Sequence, residues 1–437
     1  MAEETPHLRR QLGLLETTFT GIGIILGAGI YVLVGEVAGK SGDALWVSFL
    51  LAALAAVAIG LTYAELASAY PRAGADYEYT RQAMGPRAAF VVGWLIVIGN
   101  LVAAAAVSLG FASYMQAFWD VSERGIAVAA LAVATLIAWA GIRETVWTAI
   151  VFTLIEVGGL VFIIAIGVPH VGDVDLLDAK GGAAGIFSGA ALVMFAFIGF
   201  EQVATLAEET RDATRTIPRA LILSLIVTTS LYLLVAVASV SVLGWEALSG
   251  SDAPLAAVAE EVLGGRASDY LAIVALFSTG NTVLLLIVAA SRLIYGMADT
   301  GTLPRFLAWV HPRMNTPARA IGLSLLVSLG FALSGDIGLV AGATNFAVFI
   351  GFGAVSLSLI ILRFTQPDVP RPFRAPLNVG RLPLMPLIAL GAVAFMMANL
   401  ERTALLIGGG LFLSGVVAME VLSLWRPANS PTDRRPD

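Results

Sequence analysis

Twelve stretches of this chain are apolar over about the length a helix needs to cross a bilayer, roughly 20 residues. They fall near residues 14–38, 44–69, 87–117, 125–141, 145–167, 185–208, 217–243, 268–298, 317–334, 337–363, 384–400 and 403–424 and are called helices 1 to 12 below. Composition agrees: 58% of residues are hydrophobic and 13% charged. Soluble domains run at roughly 45–50% apolar and about 25% charged. The expected class is an all-α polytopic membrane protein with 12 transmembrane helices. The first run is too long for a cleavable signal and lacks a small-residue cleavage pattern.

Basic residues orient such a chain, because Lys and Arg concentrate on the cytoplasmic side. With a cytoplasmic N-terminus, all of the 25 Lys and Arg except Lys40, Arg124, Lys180, Arg266 and Arg402 fall in or beside inner segments. Both termini are therefore expected in the cytoplasm of a multi-pass protein of the cell membrane. The chain has no Cys, which excludes disulfides and thiol chemistry, and His7, His170 and His311 all lie in predicted loops. No intramembrane metal site is expected, and no cofactor. The partners anticipated are the bilayer and a small-molecule substrate, with no nucleic acid, in a monomer or weak homo-oligomer.

Helix 1 contains GIGIILGAGIYVLVG (21–35), a spanning segment with five glycines. Glycine is among the weakest helix formers, yet backbone inside lipid must be satisfied unless it lines a cavity. Helix 6 carries a second weak point, FAFIGFEQ (195–202), with Gly199 and the ionisable Glu201 at mid-span. Two interruptions five helices apart lie on helices that cross in opposite directions. That is the mark of an inverted repeat with its binding site at the breaks. The expected organisation is a cytoplasmic segment 1–13, repeats 14–167 and 185–364, helices 11 and 12 at 384–424, and a disordered tail 425–437. The plainer reading is that Gly23 and Gly27 let a neighbouring helix pack closely.

A broken helix exposes unpaired amides at the start of one half and unpaired carbonyls at the end of the other. In helix 1 the carbonyls end near Ile24, Ile25 and Leu26, the interruption begins at Gly27 and Ala28, and the amides of the outer half begin near Gly29 and Ile30. In helix 6 carbonyls end around Ala196, Phe197 and Ile198. Amides with positive dipole character suit a carboxylate, and carbonyls suit an ammonium. Both groups on one carbon make an α-amino acid.

GIGIILGAGIYVLVG, then YAELASAYPRAGADYEY (63–79), FAFIGFEQVATLAEETRDATRTIPRAL (195–221) and SRLIYGMADTGTLPRF (291–306) together resemble the amino acid–polyamine–organocation superfamily. The resemblance spans most of helices 1–10. It implies the 5+5 inverted-repeat fold of the bacterial leucine transporter type, with helices 1 and 6 unwound at mid-membrane. It also implies alternating access, the substrate carboxylate on the Gly-Ala-Gly-Ile segment and the amine at the helix 6 break. Phe195 matches the aromatic extracellular gate of relatives, Glu201 their acidic residue after the break, and Asn100 a polar residue near substrate. Taken alone, Phe195 reads equally as a core phenylalanine and Asn100 as helix–helix glue.

Acids inside a membrane are costly and usually functional. Glu156 in helix 5 lies where several proton-coupled relatives have Lys, so a lysine mechanism does not carry over. The expectation is that Glu156, with Glu201, loads and releases a proton. The bland alternative is a permanently neutral Glu156 bonded to backbone. Glu420 in helix 12 suggests snorkelling or a subunit contact. Glu208, Glu209 and Arg211 form a candidate inner gate with Arg9, Arg10 or Arg72 as partners. Hydroxyls on helix 8, Ser278, Thr279, Thr282 and Ser291, leave sodium as an alternative coupling ion.

The expected function is secondary active transport of amino acids by proton-coupled symport. An amino acid/amine exchanger and a non-transporting nutrient sensor on the same fold are the alternatives. VLLLIVAA (283–290) has no aromatic to stack on a guanidinium, which argues against arginine. No His, Cys or Lys lies mid-span and no hydrolase motif occurs, so an enzyme is not expected. No repeated filter marks a channel.

Overall fold

The computed structural model describes residues 8–27, 29–116, 121–251, 253–334, 337–400 and 402–424. Each apolar run is helical. Helix 1 is Leu14–Leu26 followed by Gly29–Ser41, helix 2 is Leu45–Ala69, helix 3 Pro86–Gln116, helix 4 Glu123–Ala140 and helix 5 Ile142–Gly167. Helix 6 is Gly182–Phe197 continued by a 3-10 segment, Phe200–Glu209; helix 7 is Ala213–Ser249 and helix 8 Arg266–Asp299. Helices 9 to 12 are Ala318–Ser334, Ile337–Thr365, Leu384–Ala398 and Arg402–Leu424. Among the described residues ten helical segments are long and apolar enough to cross a membrane; Ala318–Leu333 and Leu384–Ala398 are shorter apolar helices.

Between helices 2 and 3 a short helix, Ala75–Met84, begins after the Pro71–Gly74 turn, and Pro254–Leu263 forms another between helices 7 and 8. Pro at the first turn of the latter removes an amide that would have no helical partner. Asn378–Val379 and Leu382–Pro383 make a two-stranded hairpin before helix 11.

Helix 2 packs on helices 6 and 7, and helix 3 packs on helices 8 and 10. The two halves of helix 1 lie against helices 5, 6 and 7. Burial separates interior from periphery: 72% of the helix 3 window is buried but only 11% of that of helix 12. Gly23 is a close-packing glycine, since a side-chain carbon there would collide with Thr153 of helix 5 and Asn281 of helix 8. Gly27 serves a different purpose. With φ of 37° it stands where the helix stops, a conformation glycine adopts without steric cost.

Candidate functional site

The two interruptions face each other. A side-chain carbon added at Gly29, which opens the second half of helix 1, would lie 3.3 Å from Ala196 Cα near the end of the first half of helix 6. One added at Gly199 would lie 2.8 Å from the carbonyl oxygen of Ile24. Each helix therefore presses the start of one half against the end of the other helix's half. Gly199 also has φ of 124°. Only glycine meets both demands at that position.

Tyr232 of helix 7 ties the breaks together. Its hydroxyl reaches the carbonyls of Ile25 at 2.8 Å, Leu26 at 3.0 Å and Ala196 at 3.1 Å. A phenol carries one proton to donate. Three carbonyl oxygens thus share that one proton.

Beside the breaks lies a cavity of about 190 Å³. Of the residues expected at the site, Ile24, Ile25, Gly27, Gly29, Asn100, Phe195, Ala196, Ile198 and Glu201 line it. Ile30 and Phe197 do not. Ile30 is wholly buried, and Phe197, also unexposed, packs edge-on against Tyr232 at 5.3 Å. Helical rotation accounts for this, because neighbours in sequence point about 100° apart. Ala28 lies outside the described residues. Thr282, named above only as a possible ion ligand, and Gln202, Thr344 and Asn345, not expected at the site, add polar groups to the wall. An Asn within an apolar run was the available signal for Asn345. Ala103, Val107, Leu286 and Val348 make the apolar side.

Glu201 caps the second half of helix 6. Its Oε2 accepts from the Gly199 amide at 2.9 Å, and Oε1 accepts from the Gln202 side-chain amide at 3.0 Å. Gln202 also donates to Asn100 Oδ1 at 3.3 Å. Break, acid and helix 3 are thereby one hydrogen-bonded unit. Phe195 stacks on Phe349 of helix 10 with centroids 5.8 Å apart. On the other side of the breaks Tyr63, Phe200 and Phe352, all unexposed, pack against one another at 5.5–6.0 Å.

Glu156 stands apart from the cavity. It is fully buried; Ser278 of helix 8 donates to its Oε1, and its Oε2 has no partner in the structure. Thr282 of helix 8 lines the cavity, while Thr279 and Ser291 bond to their own helix backbone.

The candidate inner gate has a different partner from those expected. Arg9 and Arg10 are exposed, and Arg72 turns toward Glu78 at 4.0 Å. Glu209 instead meets Arg292 of helix 8, and Glu208 accepts from the Ala73 amide at 3.2 Å. The Gln11 and Leu12 amides donate to the Glu209 carbonyl at 2.8 and 3.0 Å. Segments leading into helix 1 and out of helix 6 are thus joined, and this end of the bundle also holds Glu65 paired with Arg363 and Arg371.

A family profile described as amino acid permease matches residues 12–418. The chain is 30% identical over 415 residues to a branched-chain amino acid permease of Bacillus subtilis, covering 90% of this chain and 88% of that protein. It is 28% identical over 418 residues to a methylthioribose transporter of the same organism, covering 91% and 90%. It is 29% identical over 391 residues to human cationic amino acid transporter 4, covering 83% of this chain and 61% of the relative. Two interrupted helices meet at a small, largely apolar cavity with a few polar groups, as expected of a carrier, and the chain belongs to the amino acid permease family of the amino acid–polyamine–organocation superfamily.

Proposed function

We propose that this protein is a proton-coupled symporter of neutral, branched aliphatic amino acids, working by alternating access across the cell membrane. The observation that carries the reading is the reciprocal contact of the two breaks, Gly29 on Ala196 and Gly199 on Ile24, beside a cavity of about 190 Å³. It supports 12 crossings in which helices 1–5 and 6–10 are inverted repeats. The first amides of the Gly29–Ser41 helix bind the substrate carboxylate. Carbonyls of Ile25 and Ala196, residues that line the cavity, bind the ammonium. Ala103, Val107, Leu286 and Val348 enclose an aliphatic side chain, in keeping with the similarity to the branched-chain amino acid permease of Bacillus subtilis.

In this reading both termini are cytoplasmic and Glu209–Arg292 closes the cytoplasmic side. Phe195 covers the substrate from outside, and Glu201 and Glu156 carry the coupling proton. The test is uptake of labelled leucine into proteoliposomes with and without an inward proton gradient. Accumulation above equilibrium only with the gradient, competed by isoleucine and valine but not by arginine or methylthioribose, is the expected result. Glu156→Gln should retain exchange and lose gradient-driven accumulation. Wild-type protein that takes up no leucine, or takes up arginine equally well, overturns the assignment.

A further inference from the structure

Resting on that transport reading, we propose that Asp76, on the short helix between helices 2 and 3, is a further proton-carrying residue. It is protonated while the cytoplasmic side is closed and releases its proton to cytoplasmic water when that side opens.

Carboxylates buried for structural reasons at this end of the molecule have an obvious signature. Glu65 accepts from Arg363 at 2.7 and 2.6 Å and from the Ala375 amide at 2.8 Å. Glu209 accepts from Arg292 at 3.0 and 3.1 Å. Glu78 accepts from Arg81 at 3.0 and 3.1 Å and from Gln82 at 2.7 Å. Each is satisfied at both oxygens by an arrangement that includes an arginine. Asp76 is not. It is 1% exposed, Tyr63 of helix 2 donates to its Oδ1, and its Oδ2 is buried with no partner in the structure.

No cation compensates it among the described residues. On its own segment Arg72 and Arg81 turn to Glu78, and the nearby Tyr79 hydroxyl is unpartnered. Helix 2 presents Tyr63, while its Glu65 is held by Arg363 and Arg371. Helix 10 passes directly over the carboxyl at Gly351, where an added side-chain carbon would lie 3.5 Å from Oδ1. The Arg363 of that helix is committed to Glu65. Helix 3 contributes only Arg87, which is exposed, and the Arg292 of helix 8 is committed to Glu209. From helix 6 Glu201 lies close enough for its charge to act on Asp76 and on Tyr63.

A lone carboxylate in such surroundings is unfavourable unless it is neutral. Burial pushes the Asp76 carboxyl up to about 6, against lowering by the Tyr63 hydrogen bond and by its own backbone amide. Two buried acids within electrostatic reach also titrate as a pair, so a proton on one eases ionisation of the other. The Tyr63 hydroxyl, able to donate to Oδ1 whether or not Oδ2 bears a proton, fits a group that alternates between both states.

The step balances simply. The Asp76 O–H bond breaks as water enters from the cytoplasm, the proton leaves on that water, and the electron pair stays on the carboxylate. Glu201 then gives its O–H proton to Asp76, keeping the electron pair as a carboxylate, and a proton entering from the cavity side restores Glu201. One proton crosses per cycle.

The experiment is leucine counterflow and gradient-driven uptake in proteoliposomes from about pH 5 to about pH 8, the range over which such a group titrates. Wild-type exchange should change with a midpoint near 6. Asp76→Asn should keep exchange, lose that step, and lose gradient-driven accumulation at least about tenfold. Tyr63→Phe removes the donor that favours the charged form, so its midpoint should move up by about one pH unit. Asp76→Asn with the wild-type pH profile and full accumulation overturns the proposal. If that variant does not fold, an unmoved midpoint in Tyr63→Phe overturns it instead. Wild-type vesicles that exchange no leucine at any pH would sink the transport reading itself, and this assignment with it.

Discussion

Arg292 holds Glu209 from both sides of its carboxylate, Nε to Oε2 at 3.0 Å and Nη2 to Oε1 at 3.1 Å, with neither side chain more than 1% exposed. Removing one partner strands a buried charge, at a cost of about 3–5 kcal/mol. Arg292→Ala should therefore melt well below wild type in detergent. Adding Glu209→Ala should recover much of the loss, because no unpaired charge remains. A double variant as unstable as the single one would show that the pair matters for packing rather than for charge.

The breaks make a second, purely steric prediction. Gly199→Ala must place a methyl 2.8 Å from the Ile24 carbonyl and adopt φ of 124°. Such strain costs about 1–3 kcal/mol, and the contact distorts the site itself. Leucine affinity should fall at least about tenfold. Gly29→Val should do the same through Ala196, its branched side chain also screening the first amides of the second half of helix 1. Isothermal titration or scintillation proximity binding reads both, and unchanged affinity in the two would remove the backbone site.

Phe195 stacks on Phe349 at 5.8 Å while lining the cavity. On the proposed gate role, Phe195→Ala should let substrate dissociate several-fold faster to the outside, whereas Phe195→Trp should retain transport. Efflux of preloaded label measures this. A normal dissociation rate in Phe195→Ala would make the residue ordinary packing.

Asp76 makes stability depend on pH in a defined direction. Its carboxyl is raised from 3.8 to about 6 by burial, so the folded protein holds this proton more tightly than the unfolded chain. The contribution is fully present below about pH 4 and is lost as pH rises through about 6. Thermal unfolding of wild type should therefore decline across that window relative to Asp76→Asn, which lacks the group. Parallel curves for the two proteins would contradict it.

What the sequence determined was local. Apolar runs, the glycines that weaken two of them and the bias of Lys and Arg are properties of neighbouring residues. The helices and their interruptions at Gly27 and Gly199 were legible for that reason. So were nine residues of the cavity wall, because they lie beside those interruptions. The pattern of hydrophobicity says little about which face of an all-apolar helix points inward, since lipid and core are equally apolar. Hence Ile30 and Phe197 turned out to face away.

Tertiary structure decided the long-range pairings. Arg292 lies 83 residues from Glu209, Ser278 122 from Glu156, and Tyr232 207 from the Ile25 carbonyl it reaches. Nothing local selects among the many arginines and hydroxyls that could have served. Even Tyr63 and Asp76, only 13 residues apart, meet because the turn at Pro71–Gly74 folds the short helix back beneath helices 2 and 10. A polar side chain inside an apolar bundle takes its meaning from the one partner within about 3 Å, and that partner is supplied by the packing of distant helices.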